Sequence, residues 1–364
     1  MQIRRLNADD VEEFNAFHAV LEQAERFERP YAGVWSLEEA RIIFTDDDPG
    51  ERIDAFVAVD RGEIAVDRDE VIGAGAAFSG IQDNLHLSYV SAWVPPQRRR
   101  QGIGSAILAE LVACCRTDGR TDIAMETAYP FEHQDDHPYR RFAEKHGFVL
   151  ANREVARVLD LPVDETLLAA LAGEARAAHG GYRIETFEGV IPEPLVAGLC
   201  AVRNQLAVDA PTGLLDFEPE AITPAVLRFR EDALRRQGRT LLSTLALTED
   251  DHVVVGYSDL VIPAGDLPNV HQWGTLVLRR HRGHRLGLAM KAHALQELQR
   301  RVGPERTRVL TCNAEQNASM VAINERLGFR PVENVPAFLL RLPSERGVRA
   351  AGPRRHVGLA TTSG

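Results

Sequence analysis

The hydrophobic positions along this chain follow two patterns, and the same order of patterns occurs twice. Runs such as 56–60 and 71–78 are apolar at consecutive or alternating positions, which is typical of buried strands. Segments such as 105–113 and 288–298 have apolar residues three and four positions apart, which predicts helices. Strands and helices therefore alternate, and an α/β fold is predicted.

The second half of the chain repeats the first at a spacing of 183 residues. The pattern Val94-x-x-x-x-Arg99-x-x-Gly102-x-Gly104 recurs in the segment 277–287, and each copy follows a predicted strand and precedes a predicted helix. Residues 142–148 correspond to 323–329 at a spacing of 181. A repeat of this length predicts two domains of one fold.

Domain boundaries follow from this repeat and from composition. We predict a first domain over residues 1–162, a helical linker over 163–181, a second domain over 182–343 and a disordered tail over 344–364. The linker is rich in alanine and leucine and ends at a pair of glycines. Contact between the two domains is expected through this linker.

Composition narrows the class of partner. The net charge of −11 argues against nucleic acid and is compatible with a cationic substrate. The longest run without a charged residue spans only 85–97, and no signal peptide is apparent, so no membrane association is expected. The four cysteines lack metal-binding spacing, which predicts reduced thiols and a cytoplasmic location. Nothing in the pattern specifies an oligomeric state.

The turn between strand and helix in the first copy has features suited to a phosphate ligand. Gly102 and Gly104 let backbone amides approach a bulky anion, and the helix start adds partial positive charge. Arg98, Arg99 and Arg100 supply charged donors. A helix start with solvated arginines is the simpler interpretation of one such turn. The preceding strand and the second copy favour a pyrophosphate.

Two other nucleotide-binding loops fit less well. No Gly-Lys-Ser/Thr follows the turn, which excludes a P-loop. A dinucleotide-binding loop would need G-x-G-x-x-G after an early strand, with an acidic residue about 20 positions later.

The pattern Arg99-x-x-Gly102-x-Gly104 resembles the acyl-CoA pyrophosphate loop of the GNAT N-acetyltransferases, whose signature is Arg/Gln-x-x-Gly-x-Gly/Ala. The resemblance covers nearly the whole chain, once in each half. Through residues 281–291 and 311–329, the second half resembles actinobacterial tandem GNAT proteins, a group that includes mycothiol synthase. The resemblance implies two acyl-CoA N-acyltransferase domains, each a mixed, mostly antiparallel central sheet flanked by helices. It implies acetyl-CoA as co-substrate and no metal.

The resemblance also implies binding roles. In this family the strand before the loop splays from the next strand, and the CoA arm lies in that gap and pairs with strand backbone. That backbone role falls on Val94 and Val277. The residues expected at the pyrophosphate are Arg99, Arg100, Gly102, Gly104 and Ser105 in the first half, and Arg282, Gly283, Arg285, Gly287 and Leu288 in the second. Asn317 and Asn324 are expected to contact the CoA arm.

Two departures from the family pattern stand out. Arg285 occupies the position of the first signature glycine, and arginine does not readily adopt positive φ. Either that position does not need positive φ or the second loop is altered; a guanidinium there could still contact phosphate, so retained binding is expected. Ala143 and Asn324 occupy the positions of a tyrosine that often protonates the leaving thiolate. Tyr139, one helical turn before Ala143, is a candidate proton donor to the thiolate. The alternatives are that Tyr139 only packs its ring and that water supplies the proton.

Transfer to an amine also requires a base. In many family members a carboxylate five or six residues before the loop valine does this; those positions hold Ser88 and Tyr89 in the first half, and His271 and Gln272 in the second. Histidine titrates near neutrality, so His271 is predicted to be the base. The alternative is that His271 is only an exposed residue at the end of a strand. By resemblance to mycothiol synthase, the second half is expected to be catalytic.

Three functions remain open at this stage. The first is acetyl transfer from acetyl-CoA to a small-molecule amine; the second is acyl-CoA binding without catalysis in one or both halves, which the missing tyrosine favours. A third is another acyl-CoA reaction, such as O-acylation or decarboxylation. The acidic segments that begin at Asp209 and Asp216 are expected near the acceptor site, where they could attract an amine or be solvated. The His133–Asp135–His137 region lacks a second cluster that would complete a metal site.

Overall fold

The first half of the chain forms strands and helices in the order that its apolar spacing predicts. The computed structural model describes residues 1–60, 70–133, 136–265 and 267–343, so the predicted disordered tail lies outside the described residues. The strands of this half are β1 (Gln2–Arg5), β2 (Glu51–Asp60), β3 (Glu70–Gly80), β4 (Leu87–Trp93), β5 (Asp122–Glu126), β6 (Tyr129–Pro130) and β7 (Val149–Asp160). The helices are α1 (Val11–Arg26), α2 (Leu37–Thr45), α3 (Ile103–Thr117) and α4 (Pro138–Lys145).

The second half repeats this order after the helix α5 (Glu165–Arg176), which lies within the predicted linker. Its strands are β8 (Tyr182–Glu188), β9 (Thr240–Thr248), β10 (Val254–Ile262), β11 (Asn269–Val277), β12 (Arg308–Ala314) and β13 (Arg330–Arg341). Its helices are α6 (Glu193–Arg203), α7 (Leu206–Asp209), α8 (Pro224–Arg236), α9 (Leu286–Gln299) and α10 (Ala318–Leu327). Within the described parts of the chain, every helix is too short or too polar to span a bilayer.

A single mixed sheet of 13 strands runs through both halves, in the order β1-β2-β3-β4-β5-β13-β7-β12-β11-β10-β9-β8, with β6 paired to β13. The last long strand of each half is exchanged: β13 pairs with β5 of the first half, and β7 pairs with β12 of the second. The predicted α/β class with a mixed, mostly antiparallel sheet is confirmed. The halves nevertheless meet through the antiparallel pair β7–β13, whereas contact through the linker was expected.

The linking helix α5 lies against one half rather than between the two. Leu168, Leu171 and Ala175 pack in one hydrophobic cluster with Leu295 of α9 and Leu159 of β7. Among residues 1–60, 70–133, 136–265 and 267–343, no helix covers the corresponding surface of α3, which borders a cavity of about 290 Å³ near His146 and Phe148. The linker therefore covers the second half only.

The sheet has two helical layers with different tasks. On one face, α3 packs on the first half through Ile107 and Leu111, and α9 packs on the second. On the opposite face lie α1 and α2 in the first half and α6 and α8 in the second. This opposite face carries Leu87 and Tyr89 of β4, and we call it the acceptor face.

Each half also covers part of the acceptor face of the other. The segment 213–217 of the second half lies over the first, where Leu215 packs with Leu87 and Ala124. In return, residues 31–33 of the first half lie over the second, where Tyr31 stacks against the guanidinium of Arg308 at 5.2 Å. The acceptor side of either half is therefore built from both parts of the chain.

Candidate functional site

The two parallel strand pairs both separate where the family resemblance predicts a gap. β4 pairs with β5 only from Leu87 to Tyr89, and β11 pairs with β12 only from Asn269 to His271. Beyond Tyr89 and His271 the neighbouring strands form no further backbone pairs with each other. Each gap ends near a loop that leads into α3 or α9.

The two loops have the same pattern of backbone dihedral angles, although their glycines are exchanged. In the first loop Arg100 has φ of 64° and Gly102 has φ of 86°; in the second Gly283 has φ of 90° and Arg285 has φ of 54°. The position of Arg285 therefore does adopt positive φ, so the alternative that it does not need this conformation was wrong. The left-handed conformation costs an arginine about 1–2 kcal/mol, which contacts elsewhere offset.

The second glycine of each loop lies against a neighbouring helix. A Cβ atom added at Gly287 would lie 3.3 Å from Cδ1 of Ile323, and one added at Gly104 would lie 3.6 Å from the ring of Phe142. Gly287 therefore lets α9 lie close to α10, whereas a Cβ at Gly104 would make an ordinary contact with α4. A Cβ added at Gly102 would have no heavy atom within 4 Å, so its side faces open space that a ligand can occupy.

Backbone amides at both helix starts are free for an anion. The first helical hydrogen bonds run from Ala106 N to Gly102 O and from Ala289 N to Arg285 O, each 3.0 Å long. The amides between, at 103–105 and 286–288, have no acceptor within their helix. This geometry fits the pyrophosphate of CoA in both halves.

The signature arginines brace the strand before each loop. Arg99 donates from Nε to the carbonyl of Val94 at 3.1 Å, and Arg282 donates from Nε to the carbonyl of Val277 at 3.0 Å. Those two carbonyls thus already have one donor each. We assign these arginines first to holding the end of the strand.

Within the described residues, carboxylates pair with three arginines of the second loop and with one arginine of the first. Asp209 accepts from Arg279 at 2.8 Å and from Arg282 at 2.7 Å, and Glu174 of α5 pairs with Arg285. The alternative that Asp209 is solvated was wrong, because its carboxylate is 6% exposed and contacts the loop.

In the first loop, Arg98 is the one arginine that has a carboxylate partner among the described residues, and that partner is Glu70. Arg99 instead lies over the rings of Phe27 at 4.5 Å and Tyr139 at 5.3 Å. Arg100 is exposed, and the described residues offer it no carboxylate partner. Among the described residues, Arg99 and Arg100 of the first loop thus have no carboxylate partner, whereas in the second loop Arg279, Arg282 and Arg285 have one and Arg280 has none.

The positions considered for protonation of the leaving thiolate hold side chains that are not freely exposed. Ala143 is fully buried in the core beneath α4. Tyr139 lies beside Arg99, and burial raises the pKa of its hydroxyl. The nearby His137 caps α4 through the amide of Tyr139, so its imidazole has a structural partner; Asp135 lies outside the described residues.

Asn317 and Asn324 have structural partners within the second half. Asn317 caps α10 by accepting from the amide of Met320 at 3.3 Å. Asn324 is fully buried and donates to the side chain of Asn313 on β12, while its own Oδ1 has no partner among the described residues. Contact of either residue with a CoA arm stays a prediction.

His271 is the last residue of β11 that pairs with β12, at the start of the second gap. Its imidazole packs on Gly33, where an added Cβ would lie 2.5 Å from Cε1. Burial and the nearby Arg239 lower the pKa of His271 to about 4. The imidazole is therefore neutral at pH 7, and its conjugate acid is stronger than a base at neutral pH requires.

A bulge distinguishes the second gap from the first. The register between β10 and β11 shifts between Ser258 and Leu260, opposite Trp273 and Gly274, whereas β3 and β4 pair without a shift. This extra residue explains why Val94 and Val277 differ by 183 positions while the paired residues Tyr89 and His271 differ by 182. It also leaves the Trp273 side chain 45% exposed at the gap.

Sequence reasoning missed three groups on the acceptor face. Glu126 ends β5 in the first gap, Cys312 occupies the equivalent position on β12, and Glu154 lies between them on β7. Burial raises the pKa of Glu126 to about 7, with the charge of Glu154 as the second cause. Comparing the two copies from the aligned strand pairs, rather than from the loops, would have identified Glu126 and Cys312 as equivalent.

Comparison with known proteins identifies the family. Residues 52–150 match a model described as an acetyltransferase (GNAT) domain, and residues 208–329 match the acetyltransferase (GNAT) family model. Together these matches span more than half of the chain. The chain belongs to the GNAT family, and its two domains are those of an N-acetyltransferase. No curated protein sequence matches it.

Three solved structures share the fold over most of this chain. A tandem GNAT protein from the clavulanic acid biosynthesis pathway is 24% identical with a TM-score of 0.74, and the match covers 94% of this chain and 99% of that one. A GCN5-related N-acetyltransferase from Sphaerobacter thermophilus is 15% identical with a TM-score of 0.61, covering 93% and 95%. A putative acetyltransferase from Pyrococcus horikoshii has 15% identity and a TM-score of 0.55, covering 94% and 90%.

Proposed function

We propose that this acetyltransferase moves the acetyl group of acetyl-CoA directly to an amine of a small molecule, and that the first half holds the CoA. The difference in carboxylate pairing between the two loops carries the second part: Arg282 and Arg285 have carboxylate partners, and Arg99 and Arg100 have none among the described residues. A pyrophosphate at the second loop would compete with Asp209 and Glu174 for the same guanidinium groups. At the first loop, Arg100 and the free amides at 103–105 meet no such competitor among the described residues.

Direct transfer is supported by the absence of a suitable nucleophile at the described part of the first gap. The cysteines of the first half, Cys114 and Cys115, belong to α3 on the opposite face of the sheet. Cys312 lies at the second gap, and burial and Glu154 raise the pKa of its thiol well above the usual value. A thiol held in its protonated form is a poor acyl acceptor.

The competing assignment places catalysis in the second half with His271 as the base. A pKa near 4 leaves His271 able to accept a proton but with little driving force. The bulge at the second gap and the exposed Trp273 favour this half. Acyl-CoA binding without catalysis is the alternative function, and it is favoured by the absence of the family's tyrosine at Ala143 and Asn324.

The test is release of free thiol from acetyl-CoA by the full chain with a polyamine, an amino sugar and an aromatic amine. We expect thiol release that depends on one amine, with the acetylated product visible by mass spectrometry. Tight CoA binding without amine-dependent release would instead support a binding module.

The same assay separates the two halves. We expect His271→Ala to leave the pH profile of kcat/KM unchanged. Loss of its acidic limb, with a drop of about 100-fold in kcat/KM, would place catalysis in the second half.

A further inference from the structure

Glu126 lies where the first gap opens. The last paired residues of β4 and β5 are Tyr89 and Ala124, and Glu126 follows Ala124 by two positions on the same strand. Side chains two residues apart on a strand point to the same face, so Glu126 points to the acceptor face with Tyr89. Ile123 and Met125 point the other way, into the core beneath α3.

The same face of the central strands carries the other ionisable groups. Glu126 pairs with Ala337, and Val335, two positions earlier on β13, pairs with Glu154. Their side chains therefore share one face, as do those of Cys312 and Tyr89. The groups whose charges act on one another here are Glu126 of β5, Glu154 of β7, Tyr89 of β4 and Cys312 of β12, with Arg157 of β7 acting on Cys312.

The surroundings of this region indicate a cleft, and Leu215 of the second half lies beside it against Leu87 and Ala124 of the first. The side chains of Glu126 and Cys312 are exposed, and yet surrounding protein desolvates both of them. Exposure combined with desolvation describes the wall of a deep cleft rather than an outer surface. Asn152 lies in the same row as Glu126, is 5% exposed, and has an Oδ1 without a partner among the described residues. Such an acceptor suits a ligand N–H group.

We propose that Glu126 is the catalytic base of the first half and that the acceptor is a cationic primary amine bound in this cleft. This assignment rests on the proposed function. The carboxylate takes one proton from the ammonium group, and the neutral nitrogen attacks the thioester carbon. The C–S bond then breaks as the N–C bond is retained, and the second nitrogen proton goes to the departing sulfur. The products are the amide, CoA thiol and the proton on Glu126, which passes to solvent.

Glu154 is a positioning residue in this arrangement. Its negative charge disfavours ionisation of Glu126 and attracts a cation into the cleft. A base with a pKa near 7 is half ionised at neutral pH and has more driving force for proton uptake than an ordinary carboxylate. Removing Glu154 should therefore move the acidic limb of the pH profile to lower pH and raise KM for the amine.

The experiment compares Glu126→Gln, Glu126→Asp and Glu154→Gln in the full chain, with the amine that the wild type acetylates. Glu126→Gln should lower kcat/KM by about 100-fold or more and remove the acidic limb near pH 7, with CoA affinity unchanged. Glu126→Asp should restore part of the rate. Glu144→Gln, which removes a carboxylate from the outer face of α4, is the charge control and should match the wild type.

A readout without turnover tests the carboxylate itself. In protein with carbon-13 at glutamate carboxyls, one resonance should titrate near pH 7, disappear in Glu126→Gln and shift to lower pH in Glu154→Gln. Titration of Glu126 near 4, or a Glu126→Gln variant with wild-type rate and pH profile, would overturn the assignment. If the wild-type chain acetylates no amine, the proposed function fails.

Discussion

The two phosphate loops have the same backbone conformation, although arginine and glycine are exchanged between their two left-handed positions. The first places arginine at the earlier left-handed position and glycine at the later one, and the second does the reverse. Arg100 and Gly102 therefore correspond to Gly283 and Arg285. Because the helix start follows in both, the amide geometry for an anion is the same.

What separates the loops is the set of carboxylates around them. In the second, Arg285 is tied to Glu174 of the linking helix, and Arg279 and Arg282 share the buried Asp209. A loop can thus keep the backbone of an anion site while the charge that would hold the anion is used internally. Backbone similarity between repeats does not establish that both bind.

The largest expected effect comes from a matched pair of substitutions at the later left-handed position. Gly102→Glu places a carboxylate against the pyrophosphate, and we expect CoA affinity to fall by more than about 100-fold. Arg285→Glu makes the equivalent change in the second loop and should leave CoA affinity and stoichiometry nearly unchanged. Calorimetry of CoA binding measures both.

Backbone strain needs its own control, because glutamate at φ of 86° is itself unfavourable. Asparagine tolerates this region better, so Gly102→Asn should retain most of the affinity. The comparison between loops would fail if Arg285→Glu, and not Gly102→Glu, abolished CoA binding.

The second expected effect concerns stability. Lys291 is 1% exposed on α9, at the position that Leu108 occupies on α3, and burial lowers its pKa to about 7. Since its pKa in the unfolded chain is higher, folding disfavours the charged form, and stability rises as pH increases from 7 towards 10. Lys291→Leu should stabilise the fold by about 2–4 kcal/mol at pH 7, with a smaller gain near pH 10.

Denaturant unfolding at several pH values tests this. Lys145, the other lysine of the chain, is exposed, and Lys145→Leu should change stability little and without pH dependence. Equal stability of Lys291→Leu and the wild type at pH 7 would show that the ammonium group is well accommodated.

The smallest expected effect is partial recovery of the second loop. In the Gly102→Glu background, Glu174→Gln frees Arg285 and Arg326. Residual CoA affinity should rise by about 3- to 10-fold, because an exposed ion pair contributes little and Asp209 still pairs with Arg279 and Arg282. If the residual CoA affinity does not change, the Glu174 ion pair is not what weakens CoA binding at the second loop. Asp209→Asn is then the next variant to measure.

The sequence located both loops well because their chemistry is local. Glycines at short spacing, a preceding apolar strand and a following helix are all readable within about 25 residues, and each loop does lie between a strand and a helix. Arg285 was harder, since positive φ in an arginine depends on distant contacts such as Glu174. His271 was predicted from its spacing to Val277, but spacing alone showed neither Gly33 above it nor Arg239 beside it.

The sequence by itself determined the α/β class, the twofold repeat and the positions of the loops, since periodicity and turn chemistry act between near neighbours. Only the tertiary structure decided that β7 and β13 exchange places, because two copies of one strand have equally suitable edges to pair with. That exchange brings Glu126, Glu154 and Cys312 onto one face. A carboxylate at a strand end looks solvated in the sequence; its desolvation in a cleft depends on strands more than a hundred residues away.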